Sequence, residues 1–208
     1  MPVLLKLQIE LVPQPLWYKS LNKLLPRPEW DTLRRSVYRQ YRHHCAHCGA
    51  GTQKMYCHER WVYDDEHHVV RLGGFAALCK RCHLVTHPGH AGISGQSEGL
   101  MEHFCQVNGC DEAVFHVHKD EAWVRWRERS AFYAWQIDFG SYGARLDPRK
   151  VADAALVQQE DGTHLVNPDG PNRAIKAESV KFALWREMLK KYDRQRREQA
   201  KAQRSDTD

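Results

Sequence analysis

Nothing in this sequence approaches the roughly 20 consecutive apolar residues of a membrane span, so the chain is not expected to cross a bilayer. Its opening, Met1-Pro2-Val3-Leu4-Leu5-Lys6, lacks the basic stretch and apolar run of a secretory leader, and the chain reads as cytoplasmic. A disulfide framework is missing too. The seven cysteines are odd in number and four of them sit at metal-ligand spacing, which fits thiolate ligands in a reducing compartment. Cys57, Cys105 and Cys110 are left over and read as small apolar residues packed inside the fold. Apolar mass is sufficient: 42% hydrophobic residues, with seven Trp and eight Tyr in 208 residues, support the modest core of one or two small domains.

Charge is unevenly spread around a net +5. Residues 18–47 hold seven Lys/Arg against two Asp/Glu, and residues 173–204 hold eleven against four. Two basic flanks around a mildly acidic middle are the electrostatic footprint expected for phosphate backbones, although a solvated basic helix carries the same pattern.

Hydrophobic spacing divides the chain into five stretches. Residues 1–29 form an N-terminal strand and linker, in which Leu5-Lys6-Leu7-Gln8-Ile9-Glu10-Leu11 alternates as a short strand closed by Pro13 and Pro15. Residues 30–94 form a zinc core: a helix with Trp30, Leu33, Val37 and Tyr41 on one face, an extended stretch from Lys54 to Tyr63, a break at Gly73-Gly74, and a helix from the second CxxC to Pro88-Gly89. Residues 95–138 are a helical extension, with Trp123, Trp126, Tyr133 and Ile137 striping a helix from about Lys119 to Gln136. Residues 139–173 form a loop or a hairpin turning at Asp161-Gly162, and residues 174–208 a basic C-terminal helix and tail. The expected class is α+β: a treble-clef-like zinc core with a short N-terminal strand and a mainly helical C-terminal half.

The chemistry concentrates between Cys45 and His87. Cys45, Cys48, Cys79 and Cys82 form two CxxC pairs, a spacing that lets both sulfurs of a pair reach one ion. Tetrahedral zinc is the natural occupant, and a closed four-thiolate site of this kind stabilises a fold rather than reacting. Such a zinc has no use for His58, Glu59, His83 or His87. His83 and His87 lie four apart on the expected helix and point the same way, while the strand carries His58-Glu59 toward them, which suits a second divalent ion.

These pieces resemble the HNH (ββα-metal) nuclease family in its zinc-ribboned form. The matching residues are Trp30-Asp31-Thr32-Leu33-Arg34-Arg35, Cys45 and Cys48, Cys57-His58-Glu59, and Leu78-Cys79-Lys80-Arg81-Cys82-His83, about a third of the chain. The resemblance implies a ββα-metal core that hydrolyses DNA phosphodiester bonds with a base-activated water and one catalytic divalent ion (Mg²⁺, Mn²⁺ or Ni²⁺), beside a structural Zn²⁺. It makes His83 a metal ligand and His87 an additional ligand or phosphate contact. His58 is the base if Cys57-His58 is the family's pair, and a ligand with Glu59 as base if His58-Glu59 is. The family's central Asn is absent from Arg71-Leu72-Gly73-Gly74-Phe75, where Gly74 holds its place; His67 and His68 read as solvated loop histidines, with substitution for the Asn as the alternative.

Two other readings use the same residues. The first is a zinc module without catalysis that binds nucleic acid or a protein. The second, a zinc deaminase, calls for His-x-Glu and Pro-Cys-x-x-Cys, whereas His58-Glu59 is contiguous and Leu78 stands in the proline's place. The partner expected is DNA, with no membrane. One site per chain nicks a duplex, so concerted cutting calls for a homodimer or a larger nucleoprotein complex.

Overall fold

A computed structural model describes residues 5–169 and Arg194, so the expected C-terminal helix lies outside the described residues. After a 3-10 turn at Gln14–Leu16 come α1 (Leu21–Leu24) and α2 (Arg27–Gln40), then the strands β1 (Tyr56–Asp64) and β2 (Val69–Leu78). Next are α3 (Lys80–Thr86), α4 (Pro88–Ile93), α5 (Leu100–Asn108) and α6 (Glu112–Ala131). The chain continues through β3 (Gln136–Asp138), a second 3-10 turn at Gly140–Arg145, α7 (Pro148–Asp153), β4 (Leu156–Gln158) and β5 (His164–Val166). The five strands make one sheet in the order β1-β2-β3-β5-β4, a mixed α+β architecture.

The hairpin β1–β2 is rich in Val, Tyr, Trp and Phe, residues that favour strands, and consecutive residues of β2 are buried because both of its faces are covered by core. Ala76 and Leu78 turn to the side of α3 and α5, where they pack with Leu7, Cys45, Cys82, Val85 and Phe104. Ala77 turns the other way and packs with Val37 of α2, beside Leu33 and Phe75. Trp30 and Val37 are the buried residues of α2, and Tyr41 completes that face by donating from its hydroxyl to the Phe75 carbonyl.

The break expected at Gly73-Gly74 does not occur. Arg60 pairs with Gly74 and Trp61 with Leu72, so Gly73 is the extra residue of a β-bulge inside a continuous strand. A side chain at Gly73 would come within 3.0 Å of Val62, and Gly74 has φ +129°, so glycine is required at both positions.

The N-terminal strand is likewise absent, although its alternation is real: Leu7 and Ile9 are buried while Lys6, Gln8 and Glu10 are exposed. The segment's backbone bonds go elsewhere. Leu7 N donates to Asn108 Oδ1 at 3.0 Å, Ile9 N to His118 Nε2 at 2.9 Å, and Glu10 N to the Thr86 carbonyl at 2.8 Å. An extended segment tied to helices α3, α5 and α6 satisfies its amides without a neighbouring strand.

The helix expected to reach Gln136 ends at Ala131. Phe132 stacks on His68 at 3.6 Å, and Trp135 is fully buried with its Nε1–H on the Arg129 carbonyl. Burying that indole outweighs one more helical turn, and the chain then runs into β3, parallel to β2. Trp123 and Trp126 are buried as the stripe requires, Ile137 is buried on β3 instead, and Tyr133 is 56% exposed. The hairpin expected at Asp161-Gly162 is present as β4–β5, with Gly162 at φ +83°. Among the described residues the second half is therefore not mainly helical past Ala131, because three of its segments complete the sheet. No helix among the described residues is long and apolar enough to cross a membrane.

Candidate metal centres

Cys45 and Cys48 lie in the turn before the hairpin, where Cys45 N donates to the Ala50 carbonyl, Gly49 N to Cys45, and Ala46 N to Ala77. Cys79 caps the N-terminus of α3, its sulfur accepting from Cys82 N at 3.5 Å. The four sulfurs lie within 4.8 Å of one another, and Cys48 Sγ is 3.7 Å from Cys79 Sγ. Zinc–sulfur bonds of about 2.3 Å set the edge of a ZnS₄ tetrahedron at about 3.8 Å, so the cluster suits one zinc ion. Hydrogen bonds from Cys79 and Cys82 hold the Cys45 thiol far below its ordinary value, while Cys45 and Cys79 push the Cys82 thiol far up. Four thiolates this close repel one another, and a bound cation supplies the charge that balances them.

A buried histidine adjoins this cluster. His103, on α5, brings Nε2 to 3.2 Å from Cys82 Sγ. That contact is the outer-sphere support typical of a thiolate ligand, and a histidine 21 residues beyond Cys82 carried no signal in the sequence.

The second cluster gathers His58 from β1, His83 from α3 and His87 from the α3 C-terminus, each with a ring nitrogen within 4.8 Å of the others. His83 stacks on Tyr56 at 4.7 Å, and its ring meets His58 and His87 edge-on. Glu10 completes the group. His58 Nε2 is 3.1 Å from the Glu10 carboxylate, and His87 Nδ1 is 3.1 Å from the Glu10 carbonyl. A carbonyl oxygen only accepts, so His87 carries its proton on Nδ1; an ionised Glu10 likewise places the His58 proton on Nε2. Burial works against ionisation of Glu10, but the hydrogen bond from His58 and the neighbouring His58, His87 and His47 hold its carboxyl below the ordinary value.

The consequence lies between the two rings. His58 Nδ1 and His87 Nε2 are 3.2 Å apart, and both are the bare nitrogens of these tautomers. Two facing lone pairs repel unless a proton or a metal cation sits between them. Metal–nitrogen bonds of about 2.05 Å would span this gap at an angle of about 100°, within the range of tetrahedral and octahedral sites.

Glu59 does not join this group. Successive strand residues point to opposite faces, and Glu59 turns to α1, where its carboxylate accepts from Asn22 N at 3.4 Å. Burial pushes its carboxyl up to about 7 against the bonds from the Asn22 and Leu21 amides and Trp61. Cys57 shares that face, half-buried against Val37 and Ala77, with its thiol pushed up to about 12 by burial. His67 and His68 sit in the hairpin turn, the first bonded to Asp64 and the second stacked on Phe132, away from the histidine cluster.

A cavity of about 1130 Å³ opens beside the cluster, lined by His58, His83, His87 and Glu10 and, on α6, by Arg125 and Arg129. Arg129 is held by a two-pronged bond to Asp65 at 2.7 and 2.8 Å and lies over Tyr63. Arg35, Arg39 and Arg42, at and just past the end of α2, are exposed, while the basic segment 173–204 falls outside the described residues except for Arg194. No protein-family model, curated protein or solved structure matches the chain.

Proposed function

We propose that the chain is a divalent-metal-dependent endonuclease of the HNH type, hydrolysing DNA phosphodiester bonds. The observation that carries this reading is the convergence of ring nitrogens of His58, His83 and His87, with His58 Nδ1 and His87 Nε2 3.2 Å apart, on the lining of a cavity. The order of elements supports it, since an antiparallel hairpin and the helix that follows it deliver the three histidines, as in the ββα arrangement. A divalent ion held there would lower the pKa of a water and stabilise charge on a phosphate and its leaving oxygen. Glu59 is bonded to the Asn22 amide on the α1 side and is not one of the clustered ligands, although it lines the same cavity. His58 takes a ligand's role in this proposal, because Nδ1 stands at ligand distance from His87 Nε2.

The test is cleavage of supercoiled plasmid by purified protein in Mg²⁺, Mn²⁺ or Ni²⁺. His83→Ala is expected to stop nicking while the thiolate-bound zinc stays at one equivalent. His58→Ala separates two roles: a ligand's loss removes the second ion, whereas a base's loss leaves the ion and removes only cleavage. DNA binding without cleavage in every metal would instead favour the zinc-binding module on the same framework. Linear product appearing directly from supercoiled DNA would mark two copies acting together.

A further inference from the structure

We propose that Glu10 is the positioning residue of the three-histidine site, holding His58 and His87 in the tautomers that present their metal-binding nitrogens. The inference rests on the reading of that site as a metal centre and adds to it a residue that belongs to neither the hairpin nor the helix. One residue does both jobs through two different atoms. Its carboxylate takes the His58 Nε2–H at 3.1 Å, and its backbone carbonyl takes the His87 Nδ1–H at 3.1 Å. Outer-sphere acceptors of this kind fix the ring orientation and tautomer of histidine ligands and raise their basicity.

Glu10 can exert this control because its own place is set independently of the histidines. Its amide donates to the Thr86 carbonyl at 2.8 Å, one residue before His87. Upstream, Ile9 N is held by His118 of α6, and Leu7 exchanges two hydrogen bonds with the Asn108 side chain of α5. Leu7 is fully buried and Ile9 nearly so, which locks the segment between α3 and α6. The segment thus forms part of the cavity lining beside the histidines. Without the Glu10 carboxylate, the His58 ring is free to flip or to change tautomer and place an N–H where a lone pair is required, whereas the backbone carbonyl that holds His87 remains whatever residue stands at position 10.

The experiment titrates Co²⁺ into the full-length, zinc-loaded protein and follows the visible absorption of the second ion, comparing wild type, Glu10→Ala, Glu10→Gln and His83→Ala. Glu10→Ala is expected to weaken the second site by about 10–100-fold, the usual effect of losing an outer-sphere partner. Glu10→Gln should recover most of that loss, since its amide oxygen can still accept from His58 Nε2–H. If Glu10→Ala binds Co²⁺ as wild type does while His83→Ala does not, the metal site stands and the role of Glu10 is overturned. If wild type takes up no ion beyond the zinc, the metal reading falls, and the ring tautomers decide on Glu10. Side-chain ¹⁵N spectra of the zinc-loaded protein are expected to show His58 protonated on Nε2 in wild type and on a mixture of nitrogens in Glu10→Ala. Identical tautomers in the two proteins would overturn the inference without reference to any second ion.

Discussion

Replacing Lys19 by Met should make this protein more stable at neutral pH. Lys19 is 2% exposed, and its Nζ has no hydrogen-bond partner among the described residues. Burial alone lowers its ammonium from the ordinary 10.5 to about 8. The folded state therefore binds fewer protons than the unfolded state between those values, and stability rises with pH across that window. Below it the charged amine is fully penalised, and a gap from 10.5 to about 8 corresponds to a cost of about 3 kcal/mol. Met keeps the packed aliphatic stem and removes the charge, so at pH 7 Lys19→Met should gain up to about 3 kcal/mol, or about 6–12 °C in Tm. At pH 9.5, where the folded lysine has already lost its proton while the unfolded one still holds most of its own, the advantage should shrink to about 1.4 kcal/mol. Urea unfolding of both proteins at the two pH values measures the difference directly. A destabilised mutant, or a difference that does not change with pH, would refute the account of Lys19 as an unpaired buried amine.

Other expectations follow from single contacts. Chelating the zinc, or changing Cys79 to Ser, should unfold the α3–α5 core, because apparent zinc binding energies of about 10–16 kcal/mol exceed the stability of a small domain; circular dichroism during chelator titration checks this. His103→Ala should weaken zinc binding by about 10–100-fold with no loss of the second ion, read by competition with a chromophoric chelator. Gly74→Ala should destabilise by about 1–3 kcal/mol, since a side chain at positive φ strains the bulge; thermal unfolding measures it. Trp135→Ala, which empties a fully buried site, should cost about 3–5 kcal/mol and expose the Tyr63 ring to fluorescence quenchers.

The parts of the fold legible in the sequence are those governed by neighbours along the chain. The two CxxC pairs, the extended stretch ending in Tyr63, the α2 face and the Asp161-Gly162 hairpin each depend on spacing within about ten residues, and spacing is what a sequence displays. What escaped depends on contacts between distant segments. Leu7 and Ile9 alternate as strand residues do, yet whether they join a strand is decided by Asn108 and His118, about a hundred positions away. The aromatic period from Trp123 to Ile137 crosses the end of α6 by coincidence, and only the burial of Trp135 reveals where the helix stops. The histidines of the second cluster could be picked out by their spacing. Glu10 could not, because an exposed glutamate 48 residues before His58 resembles any other surface charge.

The two clusters are mechanically joined through α3. A helix of seven residues has little stability of its own, so its direction is set by what grips its ends. At the N-terminus the grip is Cys79, which caps the helix, and Cys82, which is packed in the core. At the C-terminus it is His87 bonded to the Glu10 carbonyl. His83 lies between these anchors, one residue after Cys82 and one turn before His87, so a zinc ion held by the four cysteines would help aim its ring. Such a zinc would act as the fixed end of a short lever. Shifting that end by one ångström would move His83 relative to His58, which sits on a strand of the separate β1–β2 hairpin. Zinc loss should accordingly abolish binding of a second ion before the sheet melts, because β3, β4 and β5 pack around Trp135, Ile137 and Phe139 in a core that contains none of the four cysteines.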